Sequence, residues 1–246
     1  MAELIGTALL ILFGNGVVAN VLLPKTKGND AGWIVIAVGW GIAVYIGAFC
    51  SEKYSGAHLN PAVSVAMLVA GKLTLQETVT YIVAQCIGAF IGATLVYLFY
   101  REHFKLAEDR DVKLACFCTG ANIKNNLQSF FCELVGTYAL ILPILLMIPA
   151  TVDLSSIGSQ YSEAKIGLGS LGLVPVALLV LGIGLSLGGT SGYAINPARD
   201  FIPRLVHEIL PIPHKGSSQW DYAWVPVAGP LAGAVLAALT YKLLLG

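Results

Sequence analysis

Charge is what this chain has least of. Lys and Arg number 14 and Asp and Glu 14 in 246 residues, so 11% of positions are charged and the formal net charge is zero. Soluble domains carry about a quarter. With neither sign in excess there is no basic face for nucleic acid and no acidic tail, and no nucleic-acid partner is expected. Histidine is also scarce, and His and Asp or Glu do not gather in any catalytic spacing, so no enzyme is expected. Of the five cysteines, Cys50, Cys86 and Cys132 fall in or beside apolar segments, while Cys116 and Cys118 share a polar loop. No His or second Cys pair sits close to Cys116 and Cys118 in sequence, so the thiols read as unpaired, and neither a metal nor a cofactor is expected. A basic stretch ahead of the first apolar run is missing too. Glu3 leads into it instead, which argues against a cleaved signal peptide.

What is present is apolar length. Hydrophobic residues make up 57% of the chain. Apolar stretches run over about 3–23, 32–50, 77–100, 128–149, 169–190 and 223–245, each long enough to cross a bilayer as a helix. Between the second and third, and again between the fifth and sixth, lies an apolar piece too short to cross, 58–70 and 194–209. These read as re-entrant. The fold class expected is an all-α membrane protein with six transmembrane helices and two half-helices, located in the cell membrane and in contact with lipid.

The two halves repeat one another. Glu3-Leu-Ile-Gly-Thr-Ala-Leu-Leu-Ile-Leu12 returns as Glu133-Leu-Val-Gly-Thr-Tyr-Ala-Leu-Ile-Leu142, identical at seven of ten positions. Asn60-Pro61-Ala62 returns as Asn196-Pro197-Ala198, and Gly88-x-x-x-Gly92 as Gly229-x-x-x-Gly233. Each half holds an odd number of spans, so the second enters the bilayer upside down and the two short pieces point at each other. The expected organisation is one channel domain over 1–246, built of repeats at about 1–100 and 128–246 and joined by a polar loop, 101–127. The paired glycines suit close helix contact.

Asn is a preferred N-cap and Pro a preferred first helical residue, so each Asn-Pro-Ala box reads as a helix start. Two half-length helices meeting head to head bring their positive dipole ends together, where a cation is repelled. Pro203 reads as a kink or end of the second piece. The non-helical backbone leading into each box is tolerable at that depth only where it lines a wet cavity. There the carbonyls of Gly56, Ala57, His58 and Leu59, and of Gly192, Tyr193, Ala194 and Ile195, offer a ladder of acceptors.

Ser55-Gly-Ala-His-Leu-Asn-Pro-Ala-Val63 and Gly192-Tyr-Ala-Ile-Asn-Pro-Ala-Arg-Asp200 resemble the signature boxes of the major intrinsic protein (aquaporin) family, over nearly the whole chain. The resemblance implies a passive channel in which Asn60 and Asn196 donate hydrogen bonds to the solute at mid-pore. It implies that Glu3 and Glu133 accept bonds from the loop backbone, and that the assembly is a homotetramer. It also implies an outer selectivity constriction at Trp40, Gly184, Tyr193 and Arg199. Strict water channels are expected to carry a His at the second of these. Gly184 would instead widen the aperture, while Trp40 and Tyr193 set aromatic faces opposite Arg199 and exposed carbonyls, a match for a polyol. Asp200 resembles the residue typical of glycerol-conducting members, as do Arg204 and Pro226. The expected function is therefore facilitated diffusion of glycerol and other small uncharged solutes, with some water.

Blander roles stand beside these. Trp33, Trp220 and Trp224 at span ends read as interface anchors. Asp200 most simply interacts with its own helix N-terminus and pairs with Arg204 four residues on, worth a few tenths of a kcal/mol if exposed, and His58 reads as structural rather than as a gate. Tyr193 departs from the Phe of the best-known glycerol facilitators. A water-selective channel, or one tuned to urea or lactic acid, is the alternative within this class. An ion-coupled secondary transporter is the alternative outside it, since inverted repeats build those as well. The family orientation, with both termini cytoplasmic, puts Lys25, Lys27, Arg101, Lys105, Arg110, Lys113, Lys124 and Lys215 outside, against the usual positive-inside bias.

Overall fold

A computed structural model describes residues 1–148, 150–153 and 163–245. In chain order its helices are α1 (Ala2–Leu22), α2 (Trp33–Ser55), α3 (Pro61–Val69), α4 (Leu75–Phe99), α5 (Arg101–Leu106), α6 (Arg110–Ala115), α7 (Asn126–Leu146), α8 (Val174–Ser186), α9 (Pro197–Ile209) and α10 (Val225–Leu245). A 3-10 turn over Gly169–Leu173 leads into α8, and a two-stranded antiparallel ribbon, β1 (Thr151–Asp153) with β2 (Glu163–Lys165), lies between α7 and α8. Six segments are long and apolar enough to cross a membrane: α1, α2, α4, α7, the 3-10 turn with α8, and α10. The half-helices α3 and α9 complete the arrangement expected.

The polarity of the bundle is that of a protein whose solvent is lipid. On α2 the large residues Ile34, Val38, Ile42 and Phe49 point outward, while Ala37, Trp40, Gly41, Ala43 and Gly47 are buried. Without a hydrophobic drive between helices, contact depends on small residues that let backbones approach. A Cβ added at Gly88 would stand 2.3 Å from the Leu4 carbonyl and one at Gly92 2.5 Å from that of Ala8, which fixes α4 on α1. The second repeat copies this: a Cβ at Gly233 would stand 2.3 Å from the Leu134 carbonyl, fixing α10 on α7. Starts are capped where the chain leaves the membrane edge. Thr74 and Glu77 exchange hydrogen bonds at the head of α4, and Asp109 caps α6 through the amides of Asp111 and Val112.

The short helices begin at their prolines, as the cap-then-proline order implies, so His58 to Asn60 and Ala194 to Asn196 are non-helical. Three features differ from the expected ones. The fifth span is helical only to Ser186 rather than to 190, because the chain turns at Leu187 to enter the second box. Pro203 neither ends nor breaks its helix, which continues to Ile209. The missing N–H merely leaves the Arg199 carbonyl without its usual helical partner. The stretch 101–127 is not a plain connector: it folds as α5 and α6 followed by a buried run in which Cys116, Phe117, Cys118 and Thr119 are all within the core.

Candidate functional site

The site is assembled from two loops that are each folded around one buried carboxylate. In the first repeat, Glu3 Oε1 accepts from the Ser55 hydroxyl at 2.6 Å and the His58 amide at 3.0 Å. Its Oε2 accepts from the Leu59 amide and from Gln85 Nε2, both at 2.7 Å. In the second, Glu133 Oε1 accepts from the Ser191 hydroxyl at 2.7 Å and the Ala194 amide at 3.0 Å, and Oε2 from the Ile195 amide at 2.8 Å. These bonds hold an otherwise unfavourable backbone. Ala57, Leu59, Tyr193 and Ile195 have φ of 52°, 50°, 40° and 43°, a conformation that costs on the order of 1 kcal/mol or more per non-glycine residue. It persists because surrounding bonds determine it.

The loops end in the two boxes, and the boxes interlock. Asn60 Oδ1 caps α3 by accepting from the Ala62 amide at 2.9 Å. Asn196 Oδ1 caps α9 through the amides of Ala198 at 3.0 Å and Arg199 at 3.2 Å. Each Asn then crosses to the other repeat. Asn60 Nδ2 donates to the Ile195 carbonyl and Asn196 Nδ2 to the Leu59 carbonyl, both at 2.8 Å. An amide nitrogen has two hydrogens, so each Asn keeps one for a further acceptor. The two innermost carbonyls of the expected ladder are thereby occupied by the asparagines.

A cavity of about 140 Å³ runs beside this junction. It is lined by Asn60, Asn196 and Arg199, and by seven of the eight expected carbonyl residues: Gly56, Ala57, His58, Leu59, Tyr193, Ala194 and Ile195. Gly192 is not among them. Its Cα packs on Thr119, where an added Cβ would come within 3.2 Å. The remaining wall is aliphatic, with Leu10 and Leu140 contributed from equivalent places in the two repeats, and with Val44, Val63, Met67, Ile144 and Val180. His58 lines the cavity with its ring held: Nδ1 is 3.0 Å from the Ser64 hydroxyl and the ring meets Tyr81 edge-on at 5.1 Å.

Trp40, Tyr193 and Arg199 line the same cavity, all nearly buried. Among the described residues, Trp40 Nε1, the Tyr193 hydroxyl and Arg199 Nη1 are buried with no hydrogen-bond partner. A buried polar group left unpaired costs about 1–3 kcal/mol, so three on the wall of one cavity mark a place that a hydrogen-bonding solute would satisfy. The arrangement differs from expectation in two respects. Arg199 does not stand across from the aromatic faces: its guanidinium carbon lies 4.1 Å from the Trp40 ring centre, stacked on it. Nor does Gly184 open onto the cavity. The space its missing side chain leaves is filled by Tyr193, whose Cζ and hydroxyl would stand 2.8 and 2.9 Å from an added Cβ.

Sequence reasoning also missed the setting of three residues. Trp33, read as an interface anchor, donates from Nε1 to the Gly184 carbonyl at 2.9 Å and meets the Tyr193 ring edge-on at 5.8 Å. It braces the Tyr193 ring, and no local pattern distinguishes it from any other tryptophan at a helix start. Asp200 and Arg204 do pair as expected, with Arg204 Nη2 2.8 Å and Nε 3.0 Å from Asp200 Oδ1, but both are fully buried. Removing one partner of such a pair strands the other charge, at a cost of about 3–5 kcal/mol. The few tenths of a kcal/mol that hold for an exposed pair do not apply.

Comparison with known proteins agrees with this geometry. The family model described as major intrinsic protein matches residues 1–241. The glycerol uptake facilitator protein of Streptococcus pneumoniae (strain R6) is 48% identical over 241 residues, covering 98% of this chain and 97% of that one. The probable glycerol uptake facilitator protein of Thermotoga maritima is 47% identical over 242 residues, with the same shares covered. Among solved structures, the aquaglyceroporin from Plasmodium falciparum superimposes with a TM-score of 0.79 at 31% identity, over 98% of this chain and 93% of that one. With six apolar spans, two interlocked half-helices and a sequence matched from end to end, the chain belongs to the major intrinsic protein family of integral membrane channels.

Proposed function

We propose that the protein is a passive channel for glycerol and similar small uncharged solutes, admitting some water and excluding ions. The observation that carries this is the set of unpartnered donors on Trp40, Tyr193 and Arg199 on the wall of a cavity that also holds a spare amide hydrogen on each of Asn60 and Asn196. A chain of hydroxyls can trade water for these groups while its carbons rest on Leu10, Val63, Leu140 and Val180. In this reading Trp40, Tyr193 and Arg199 form the selectivity filter with Gly184 seating Tyr193. The asparagines act at mid-pore, and Glu3 and Glu133 support the loops. Cations are hindered by two convergent helix N-termini and by Arg199, whose charge faces an aromatic ring rather than a carboxylate. The relatives named glycerol uptake facilitators favour glycerol among the candidate solutes.

The chain is read as one channel domain with repeats at about 1–100 and 128–246. Assembly as a homotetramer with one pore per subunit belongs to the same reading, and suits the exposed apolar faces of α2 and α8. Coupling to an ion gradient is disfavoured, because the carboxylates of Glu3 and Glu133 are taken up by loop bonds.

Reconstituted vesicles test the proposal. Fast glycerol entry that does not saturate and needs no ion gradient is expected. Entry no faster than in empty vesicles, or entry that follows a proton or sodium gradient, refutes it. Measuring water, urea and lactic acid in the same preparation separates glycerol preference from a channel tuned to another solute. Gly184→His combined with Tyr193→Cys is expected to suppress glycerol while sparing water.

A further inference from the structure

The stretch 101–127 carries no pore motif, yet its second half is packed against the elements that present the constriction. Thr119, only 6% exposed, uses every polar group it has there. Its amide and its hydroxyl donate to Asp200 Oδ2 at 2.7 and 2.5 Å, and its carbonyl accepts from Arg204 Nη2 at 2.8 Å. Arg204 closes the ring on Asp200 Oδ1 and donates onward to the Ser218 carbonyl at 2.8 Å. Asp200 follows Arg199 directly in the first turn of α9, so what fixes Asp200 fixes the turn that holds Arg199.

The other side of Thr119 rests on the second loop. A Cβ at Gly192, the residue before Tyr193, would stand 3.2 Å from both Cβ and Cγ2 of Thr119. Three residues on, the Asn122 amide donates to the Thr190 carbonyl at 3.2 Å and its Nδ2 to the Gly189 carbonyl at 2.9 Å. The supports of Tyr193 and Arg199 therefore meet at a single residue that belongs to neither repeat. The run is itself held from α1, where Asn15 Nδ2 donates to the Phe117 carbonyl at 3.1 Å.

We propose that Thr119 is a positioning residue for solute selection: by clamping Asp200 on one side and Gly192 on the other, it sets the separation of Arg199 and Tyr193 and hence the largest polyol admitted. The inference rests on the filter assigned above. Thr119→Val keeps the side chain's shape and removes its donor, whereas Thr119→Ser keeps the donor. The measurement is the permeability of vesicles to erythritol relative to glycerol, per reconstituted channel. Thr119→Val is expected to raise that ratio by roughly threefold or more, with Thr119→Ser near the parent value.

A role in stability alone would scale both solutes together, so an unchanged ratio in Thr119→Val overturns the proposal, as does an equal rise in Thr119→Ser. Should Thr119→Val fail to fold, Asn122→Ala decides. That residue is exposed, and its loss is expected to move the ratio in the same direction by a smaller factor; no movement overturns the proposal. Failure of the parent protein to conduct glycerol at all would count against the channel reading instead, which keeps the two failures distinct.

Discussion

Arg199 lies stacked on Trp40, with 4.1 Å between the guanidinium carbon and the ring centre, and the two come from opposite repeats, α9 and α2. Among the described residues the Arg199 side chain donates no hydrogen bond, so the ring is its principal partner, an interaction worth about 0.5–2 kcal/mol. The first repeat has Val63 at the matching place after its box. Arg199→Val removes the charge while keeping a residue the fold already accepts there. The expected outcome is faster proton and cation leak, read with a pH-sensitive dye inside vesicles, together with weaker discrimination between glycerol and water. Unaltered leak would remove Arg199 from ion exclusion.

Gly184→Ala forces a methyl group to within 3 Å of the Tyr193 ring, which must then move toward the cavity. Glycerol permeability is expected to fall roughly 10-fold, with water reduced less, since a methyl-sized change in a fitted site is worth about 1–3 kcal/mol. Equal loss of both solutes would mean that the ring moved elsewhere.

Glu3→Ala and Glu133→Ala each strip a strained loop of its anchor. Loss of Glu3 leaves the amides of His58 and Leu59 without an acceptor and takes one of two acceptors from Ser55 and from Gln85, which keep the Ser51 carbonyl and the Ser64 hydroxyl; loss of Glu133 leaves two amides and one hydroxyl unpaired. Either change is expected to cost about 3 kcal/mol or more, at the 1–3 kcal/mol typical of each stranded group. Thermal melting in detergent measures this. A small loss in both would show that the loops hold their positive φ without the carboxylates.

Much of this architecture is written locally. Six apolar lengths, the doubled Glu-x-x-Gly-Thr and Asn-Pro-Ala segments, and the cap-then-proline order of each box gave the spans, the repeat and the half-helices, because each depends on residues near in sequence. The expected filter residues Trp40, Tyr193 and Arg199 do converge on one cavity. What stayed hidden depends on contacts between distant segments. Thr119 looks like any loop threonine until α9 places Asp200 beside it, and Gly184 reads as a widened aperture until Tyr193 folds into its space. The α5 and α6 helices are each 6 residues long, too short for periodicity to register. Two of the cations that run against the usual positive-inside bias have a tertiary role. Lys215 donates to the carbonyls of His207, Glu208 and Leu210 at the end of α9, and Lys113 to that of Pro213.

His207, on α9 outside the six spans, is fully buried between Ser218, 2.8 Å from Nδ1, and the edge of Phe117 at 5.4 Å. Burial first, and then the charge of Lys215, push its pKa down from 6.5 to about 4. A lowered folded value means that the unfolded chain takes up the proton first as pH falls. Stability is therefore full above about 6.5 and declines progressively toward pH 4. Melting temperature should follow that course, and His207→Gln should flatten it. A slope unchanged in the variant would assign the titration elsewhere.

The thiols of Cys116 and Cys118 are buried, each directed at the carbonyl four residues back, Val112 and Leu114. Burial raises both pKa values well above the ordinary thiol range, and the thiolate is the reactive form. A maleimide is expected to leave both untouched in the folded protein and to label them on denaturation. Rapid labelling of either would mean that the 116–119 run opens readily, and mass spectrometry of the digested chain distinguishes the two.

The reciprocal grip of Asn60 on Ile195 and Asn196 on Leu59 makes the halves interdependent in a way that duplication alone does not require. Neither half can finish its own box, because the acceptor that orients each asparagine is supplied by the other. A fragment ending before 128 would insert with a stub that lacks its counterpart, and two fragments expressed separately would have to find one another inside the lipid before either became a conduit.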